Sequence, residues 1–552
     1  MPQRSPDDAK KISIMATAND AIRSKLSTAC RGYYNDPFLP HFAENAKGHA
    51  ASGSRRSFLS STSSRSCLEN EDGGPSSSLQ FRPMSSFAGN GWNETGPLHL
   101  RSSYLNRYEH EESESSTDRH SVRSAPFNHY SSSPNWPGSS HRNGRMHPGI
   151  PSSHYPYAIQ QQDHQPLIRR GTHARVCVMD YAISHFASIA SQSSNDPIDS
   201  IQIVILGSGR DTSYLRAQCG LLHGGLSSKS RNRPKHISWY EVDHGTVIES
   251  KKELLEGCTL LDLKCEGPNE KHGRSVGTNG GESVGTNGGE SVGRKSYHVI
   301  TKRIRNTALS SSTTSRATDN SEKLESSLTN GWIEVNEESN PYHLIEYDLC
   351  DPLDDLFDYM TEYHSFQVEI PTLFLMECVQ MYLPENSSRK LLSTITQTCH
   401  NSYLALYDPI LQNDAFGTTM ANNLRQSGIT DSSTSLWQTK TLKSQIQKLA
   451  DCGFLYAVGC DMMDAYVSIL KEEDRRRANR CEMLDEVEEW MLLMKHYCFL
   501  VASTTRCKER KGGDMNMAAR FCVDSSDPYQ TGSLGFAEDR CTIMAPTSNK
   551  DK

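Results

Sequence analysis

Apolar residues gather along this chain in short blocks separated by polar stretches of very unequal length. The densest block is residues 201–206, where five of six side chains are apolar. So continuous a run predicts a central strand covered on both faces, not one that is half exposed. Similar runs at 236–242, 342–349, 371–376, 403–407, 454–458 and 497–502 predict six more strands. Helical spacing fills the gaps between them, at 246–257, 353–363, 384–399 (Pro384 at its start), 414–424 and 444–449. Further helices open at Asp461 and Asp485. Strands alternating with helices predict an α/β fold, a doubly wound and mainly parallel seven-stranded sheet.

Upstream of the first strand, Val178, Ala182 and Phe186 stand at helical spacing and predict an amphipathic helix leading into it. Residues 21–30 read as a short helix, followed by three aromatics around the turn at Asn35, Asp36 and Pro37. Elsewhere the pattern fails. The expected organisation is a disordered N-terminus over 1–19, an arm over 20–42 docking on the core and a disordered serine-rich insertion over 43–160. The α/β domain then spans 161–503 and a disordered tail 504–552. Within the domain, 263–331 reads as a disordered loop. It carries an eight-residue unit, 275–282, copied at 283–290, too short and glycine-rich for a solenoid repeat.

Composition supports that division. Only 35% of the 552 residues are hydrophobic and the mean hydropathy is strongly negative, so much of the chain cannot bury a core. The formal net charge of −8 argues against binding nucleic acid through a general positive field. No segment approaches the roughly 18 to 20 apolar residues of a membrane span, and the N-terminus lacks the apolar core of a secretory signal. The 16 cysteines are scattered and form no Cys-x-x-Cys, so reduced thiols in a cytoplasmic or nuclear protein are the simplest account and no metal site is expected. The acids from Glu486 to Glu489 read as a solvated helix face.

The chemistry begins where the first strand stops, at Gly207, Ser208 and Gly209. Glycines there turn the backbone sharply and let a ligand approach the main chain. Gly-x-Gly alone also fits an ordinary strand-to-helix turn. The second predicted strand ends on Asp243, and a carboxylate there suits ribose hydroxyls, which moves the reading toward a nucleoside. The third glycine of the dinucleotide fingerprint is missing, as is a phosphate loop, which points away from NAD, FAD and nucleoside triphosphates. A nucleoside carried without pyrophosphate suggests S-adenosylmethionine. Asp348 and Glu377 also end predicted strands, on the edge where open α/β sheets bind ligands.

In order along the chain stand several motifs: Gly32 to Phe38, Arg170 to Val176, Leu206 to Thr212, Glu241 to Asp243, Asp348 with Leu349, Glu377 to Tyr382, Asp414 to Met420, Asp461 to Tyr466, and Met494 to Cys498. With them the sequence resembles the leucine carboxyl methyltransferases over about 22–42, 165–262 and 341–503. That resemblance implies the S-adenosylmethionine-dependent methyltransferase fold and methyl esterification of the C-terminal leucine carboxylate of the protein phosphatase 2A catalytic subunit. It implies Lys25 and Arg175 near the methionine carboxylate, Gly207 in the cofactor turn, Asp243 on the ribose, Asp348 and Leu349 flanking the adenine, Glu377 near the methionine amino group, and Tyr382 lining the acceptor pocket. The sequence departs from the family at Ser208, Arg210, Thr172 and His173, and in the insert between arm and core.

A leucine α-carboxylate is already ionised at neutral pH and needs no general base to attack a sulfonium methyl. Catalysis then rests on alignment in a dry, charge-balanced pocket. Arg175, whose fork binds carboxylates, is the candidate for holding the acceptor, with Tyr382 orienting it. No metal is required. The expected protein is a cytoplasmic or nuclear monomer that binds neither nucleic acid nor membrane. Two other readings stand beside it: a related methyltransferase on another acceptor, such as a modified transfer-RNA base, and an inactive phosphatase-binding module.

Overall fold

The computed structural model describes residues 6–44, 164–191, 198–224, 234–267, 295–305, 332–426, 430, 432–505, 517, 521 and 541–544. The serine-rich insertion, the eight-residue repeat and most of the tail lie outside them.

The chain opens with α1 (Pro6–Cys30) and α2 (Leu39–Glu44), then α3 (Pro166–Ser191), β1 (Ser200–Leu206), α4 (Ser213–Gln218), β2 (His236–Asp243) and α5 (Gly245–Glu256). Next come β3 (Leu261–Glu266), β4 (Ser296–Arg305), β5 (Trp332–Glu334), β6 (Tyr342–Glu346), α6 (Asp354–His364), β7 (Thr372–Glu377), α7 (Glu385–Thr398) and β8 (Ser402–Pro409). The last third holds α8 (Ala415–Gln426), α9 (Ser435–Gln438), α10 (Leu442–Asp451), β9 (Tyr456–Asp461), α11 (Met462–Ser468), α12 (Glu472–Cys481), α13 (Val487–Lys495), β10 (Tyr497–Ser503) and β11 (Cys541–Met544).

All seven predicted strands form, and they make the centre of one sheet in the order β9-β10-β8-β7-β1-β2-β6. Pairing is parallel between β1 and β2, β1 and β7, β2 and β6, and β7 and β8, while β10 runs antiparallel between β8 and β9. Four further strands extend the sheet, which sequence reading did not anticipate. β4 pairs antiparallel with β6, β3 and β5 pair with β4, and β11 pairs with β9. β3 ends and β4 begins on either side of the eight-residue repeat, so within the expected disordered loop over 263–331 residues 263–266 and 296–305 are strand, while 268–294 and 306–331 lie outside the described residues. Likewise residues 6–19 of the 1–19 stretch expected to be disordered are helical in α1, and 541–544 of the tail form β11.

Alternation in β1 explains the two layers. Ile201, Ile203 and Ile205 face one hydrophobic cluster, which includes side chains of α1, α3 and α5; Val204 and Leu206 face the other, with α6, α7 and α10. Both clusters are closely buried, as the largely apolar pattern of β1 requires. α3 is buried on more than the face that carries Val178, Ala182 and Phe186, because α1 covers its other side. Those three residues are fully buried. Removing a buried phenylalanine ring such as that of Phe186 costs about 3–5 kcal/mol.

The chain order reverses beside β1, whose neighbours are β2 on one side and β7 on the other. The C-terminal ends of these three strands therefore flank a switch point, where an open α/β sheet presents its crevice.

Candidate active site

Gly207 and Gly209 adopt the left-handed backbone with φ of 66° and 57°. A side chain on Gly207 would lie 2.7 Å from Val379 Cγ2, which makes that position glycine-only. At Gly209 the space is open, leaving the main chain accessible to a ligand. The Gly209 amide donates to Asp243 Oδ2 at 2.7 Å, and the His244 amide donates to Oδ1 at 2.7 Å. The carboxylate is thus fixed at the end of β2. Burial raises its pKa above the ordinary range, against the lowering effect of those two amides.

A second cluster sits at the end of β7. Lys25 Nζ lies 3.1 Å from Glu377 Oε1 and 3.3 Å from Asp211 Oδ2, and Arg175 Nε lies 3.0 Å from Glu377 Oε1. Burial works against the charge on Lys25, but Glu377 and Asp211 outweigh it and hold the ammonium charged. Burial also works against Arg175, and Glu377 outweighs it there too. Asp211 is pushed up by burial and pulled further down by Lys25, Lys251 and Arg216, so it stays ionised. Arg175 Nη2 is buried with no hydrogen-bond partner among the described residues, a guanidinium edge aimed at something else.

Around Arg175 stands an aromatic wall. Its guanidinium carbon lies 5.8 Å from the centre of the Tyr407 ring, which stacks on Tyr497 at 5.3 Å. Tyr382, on the short turn after β7, shares its electrostatic surroundings with Cys378, Tyr497, Asp408 and Arg175. Burial raises the Tyr382 phenol well above its usual pKa, so it is a hydrogen-bond donor throughout the neutral range. Cys378 has a φ of 56°, uncommon for a residue with a side chain, and the backbone turns there directly behind Glu377.

The structure thus gathers Lys25, Arg175 and Glu377 into one charged cluster, with Gly207 and Asp243 on the neighbouring strand ends and Tyr382 in the surroundings of Arg175. Asp348 and Leu349 follow β6 on the same sheet edge. Asp348 Oδ1 accepts from the Cys350 amide at 3.0 Å, and Leu349 is buried in the second core cluster.

Sequence reading missed Asp211, Cys378, Tyr407, Tyr497 and the support beneath them. Lys251 donates to the backbone oxygen of Asp211 at 2.6 Å and pairs with buried Glu241, which also accepts from Tyr342 at 2.8 Å. Asp211 follows the glycine turn directly, which was its one legible signal. The departures from the family motifs turn out to stitch the arm to the core. Thr172 Oγ1 meets Ser24 Oγ at 2.6 Å, Arg210 donates to the Phe42 carbonyl at 3.0 Å and to Ser250 at 2.9 Å, and the His173 ring lies 5.4 Å from that of Tyr33. The insert therefore does not prevent Lys25 from reaching the crevice.

Comparison with known proteins finds relatives with a shared name. A family model described as leucine carboxyl methyltransferase matches residues 313–396. The leucine carboxyl methyltransferase 1 homolog of Arabidopsis thaliana is 33% identical over 164 residues, 30% of this chain and 48% of its own length. Leucine carboxyl methyltransferase 1 of Aspergillus fumigatus is 27% identical, covering 60% of this chain and 71% of its own; that of Yarrowia lipolytica is 25% identical, covering 64% and 84%. The chain thus spans about half of the plant relative and more of the fungal ones. Among solved structures, phosphoethanolamine N-methyltransferase 2 of Haemonchus contortus superposes with a TM-score of 0.27 at 9% identity, over 62% of this chain and 59% of that one, too weak a likeness to carry an argument.

A glycine turn after the first strand, an acid at the end of the second and a central sheet with one antiparallel strand inserted beside its edge define a doubly wound α/β protein with its ligand crevice at the switch point. Within that class, the chain is similar to the leucine carboxyl methyltransferases.

Proposed function

We propose that this protein uses S-adenosylmethionine to methyl-esterify the α-carboxylate of the C-terminal leucine of the protein phosphatase 2A catalytic subunit. The observation that carries the reading is the cluster of Lys25, Arg175 and Glu377 beside the glycine turn. A methionine-type ligand bears an ammonium, a carboxylate and a ribose. The cluster supplies an acid for the first and two cations for the second, and Asp243 faces the turn for the third. When bound, the donor supplies a methyl group on a positively charged sulfur.

The chain's own residues do the rest by placement. Arg175, with Nη2 unpartnered, binds an incoming carboxylate through the planar fork that lysine lacks. The Tyr382 phenol, kept protonated by burial, donates to it and fixes its direction. Tyr407 and Tyr497 wall off water, so a carboxylate held here loses hydration and is aligned for displacement. The phosphatase substrate enters through the family resemblance, and the relatives' names support leucine carboxyl chemistry.

The test has two parts. S-adenosylmethionine binding is measured by calorimetry on wild type and Asp243→Asn, and methyl transfer is measured to a leucine-terminated acceptor and to the same acceptor amidated. Binding that weakens in Asp243→Asn, with transfer to the free acid alone, supports the reading. Equal transfer to the amidated acceptor sinks it.

A further inference from the structure

On the face of α3 away from Glu377, three residues converge that no spacing in the sequence joins. His173 and Cys177 are four apart on α3 and so share one helix face, with His173 Nε2 3.3 Å from Cys177 Sγ. His223 follows α4 and brings its ring to 5.7 Å from that of His173. One donor atom from each of the three lies within 4.8 Å of the other two, and all three residues are buried.

We propose that His173, Cys177 and His223 form a binding site for a zinc-class transition metal ion. Thiolate and imidazole are the donors such ions prefer. With bonds of about 2.0–2.3 Å, tetrahedral ligand atoms stand about 3.3–3.6 Å apart. His173 Nε2 and Cys177 Sγ already have that spacing, and a modest ring rotation of His223 closes the third edge.

The surroundings of His223 point the same way. Its Nδ1 is taken by Asp474 Oδ1 at 3.1 Å, which leaves Nε2 as the outward donor. That Nε2 is buried without a hydrogen-bond partner among the described residues. A carboxylate behind a histidine is how proteins orient a metal-binding imidazole. Asp474 is itself held by Tyr181 and Arg477. Burial lowers His173 to about 3 and raises the Cys177 thiol, so both are neutral before the ion arrives. Binding forms the sulfur–metal bond as the thiol proton leaves to solvent. Three protein ligands leave one tetrahedral position for water.

The ion would tie α3 to the chain after α4. Arg175 lies two residues from both His173 and Cys177 on the same helix, so the ion steadies the helix that presents it. Its part is structural, since Arg175 points to Glu377 and the ligands do not.

The full-length protein is loaded with zinc, dialysed against metal-free buffer and assayed by mass spectrometry for metal. A parallel sample is titrated with cobalt(II) and read for the thiolate-to-cobalt absorption band. About one zinc per chain and a cobalt–thiolate band are expected. Cys177→Ser should lose the band, and His223→Gln should bind zinc at least about tenfold more weakly. If Cys177→Ser does not melt cooperatively, His223→Gln is read by the same criteria. A wild-type protein that retains no zinc, or a band and stoichiometry unchanged in the folded variants, overturns the proposal.

Discussion

Lys25 Nζ reaches to 3.1 Å from Glu377 Oε1 across 352 residues of chain. The N-terminal helix is therefore part of the crevice wall, and the charge balance there depends on an arm separated from the core by the long insert. Removing Lys25 leaves Glu377 and Asp211 without one of their cations. Truncating one member of a buried, hydrogen-bonded charge pair costs about 2–5 kcal/mol. Lys25→Ala is expected to weaken S-adenosylmethionine binding by about tenfold or more while the protein still folds, as calorimetry and circular dichroism would show. Unchanged affinity would remove Lys25 from the site.

Arg175 is the residue on which the acceptor side depends. Arg175→Lys keeps the charge and loses the fork, so a carboxylate can no longer be held in one plane. A misplacement of about 1 Å is worth roughly a hundredfold in rate. kcat/KM for methyl transfer should fall by about that factor in Arg175→Lys and further in Arg175→Ala, with both melting close to wild type. Normal turnover by Arg175→Ala would refute the assignment.

At Gly207 the backbone itself is the functional group. Its φ of 66° and the 2.7 Å approach to Val379 leave no room for a methyl group. Gly207→Ala forces a strained conformation costing about 1–3 kcal/mol and moves the turn that lies beside Asp243. Reduced melting temperature together with loss of cofactor binding is expected. A pair of variants separates the causes: Val379→Ala on top of Gly207→Ala should recover stability more than binding.

Asp408, at the end of β8, makes the protein lose stability as pH rises toward about 8. Burial raises its pKa to about 8, against the pull of Lys448 and the Met381 amide, and Oδ1 has no hydrogen-bond partner among the described residues. The folded state therefore binds this proton more tightly than the unfolded chain, whose carboxyl titrates near 3.8. Its contribution to stability is complete below that value and is lost as pH rises through about 8. Melting temperature should decline between about pH 4 and pH 8 and level off above it, and Asp408→Asn, which cannot ionise, should flatten that decline. An identical decline in the variant would exclude Asp408 as its source.

The sheet was legible because its strands are apolar almost throughout and its helices keep one spacing. β1 and β2 fall within a residue of where the pattern puts them. β3 and β4 were hidden because their side chains alternate with exposed charge at a sheet edge and flank the glycine repeat, so composition spoke louder than period. α1 was underestimated at its N-terminal end, where tertiary packing against α3 overrides a weak local pattern. In the site, Gly207 and Asp243 show in the local sequence. Lys25, Arg175 and Tyr382 came only through family resemblance, because nothing nearby distinguishes one surface-type cation from another. The metal cluster was invisible for the same reason that the Lys25–Glu377 pair was: its members meet only after folding.

The most direct measurement of the central claim is transfer of labelled methyl from S-adenosylmethionine to the protein phosphatase 2A catalytic subunit, beside the same subunit lacking its terminal leucine. The account predicts label on the intact subunit alone, released by mild alkali as an ester. Label on both subunits, or alkali-stable label, would contradict it.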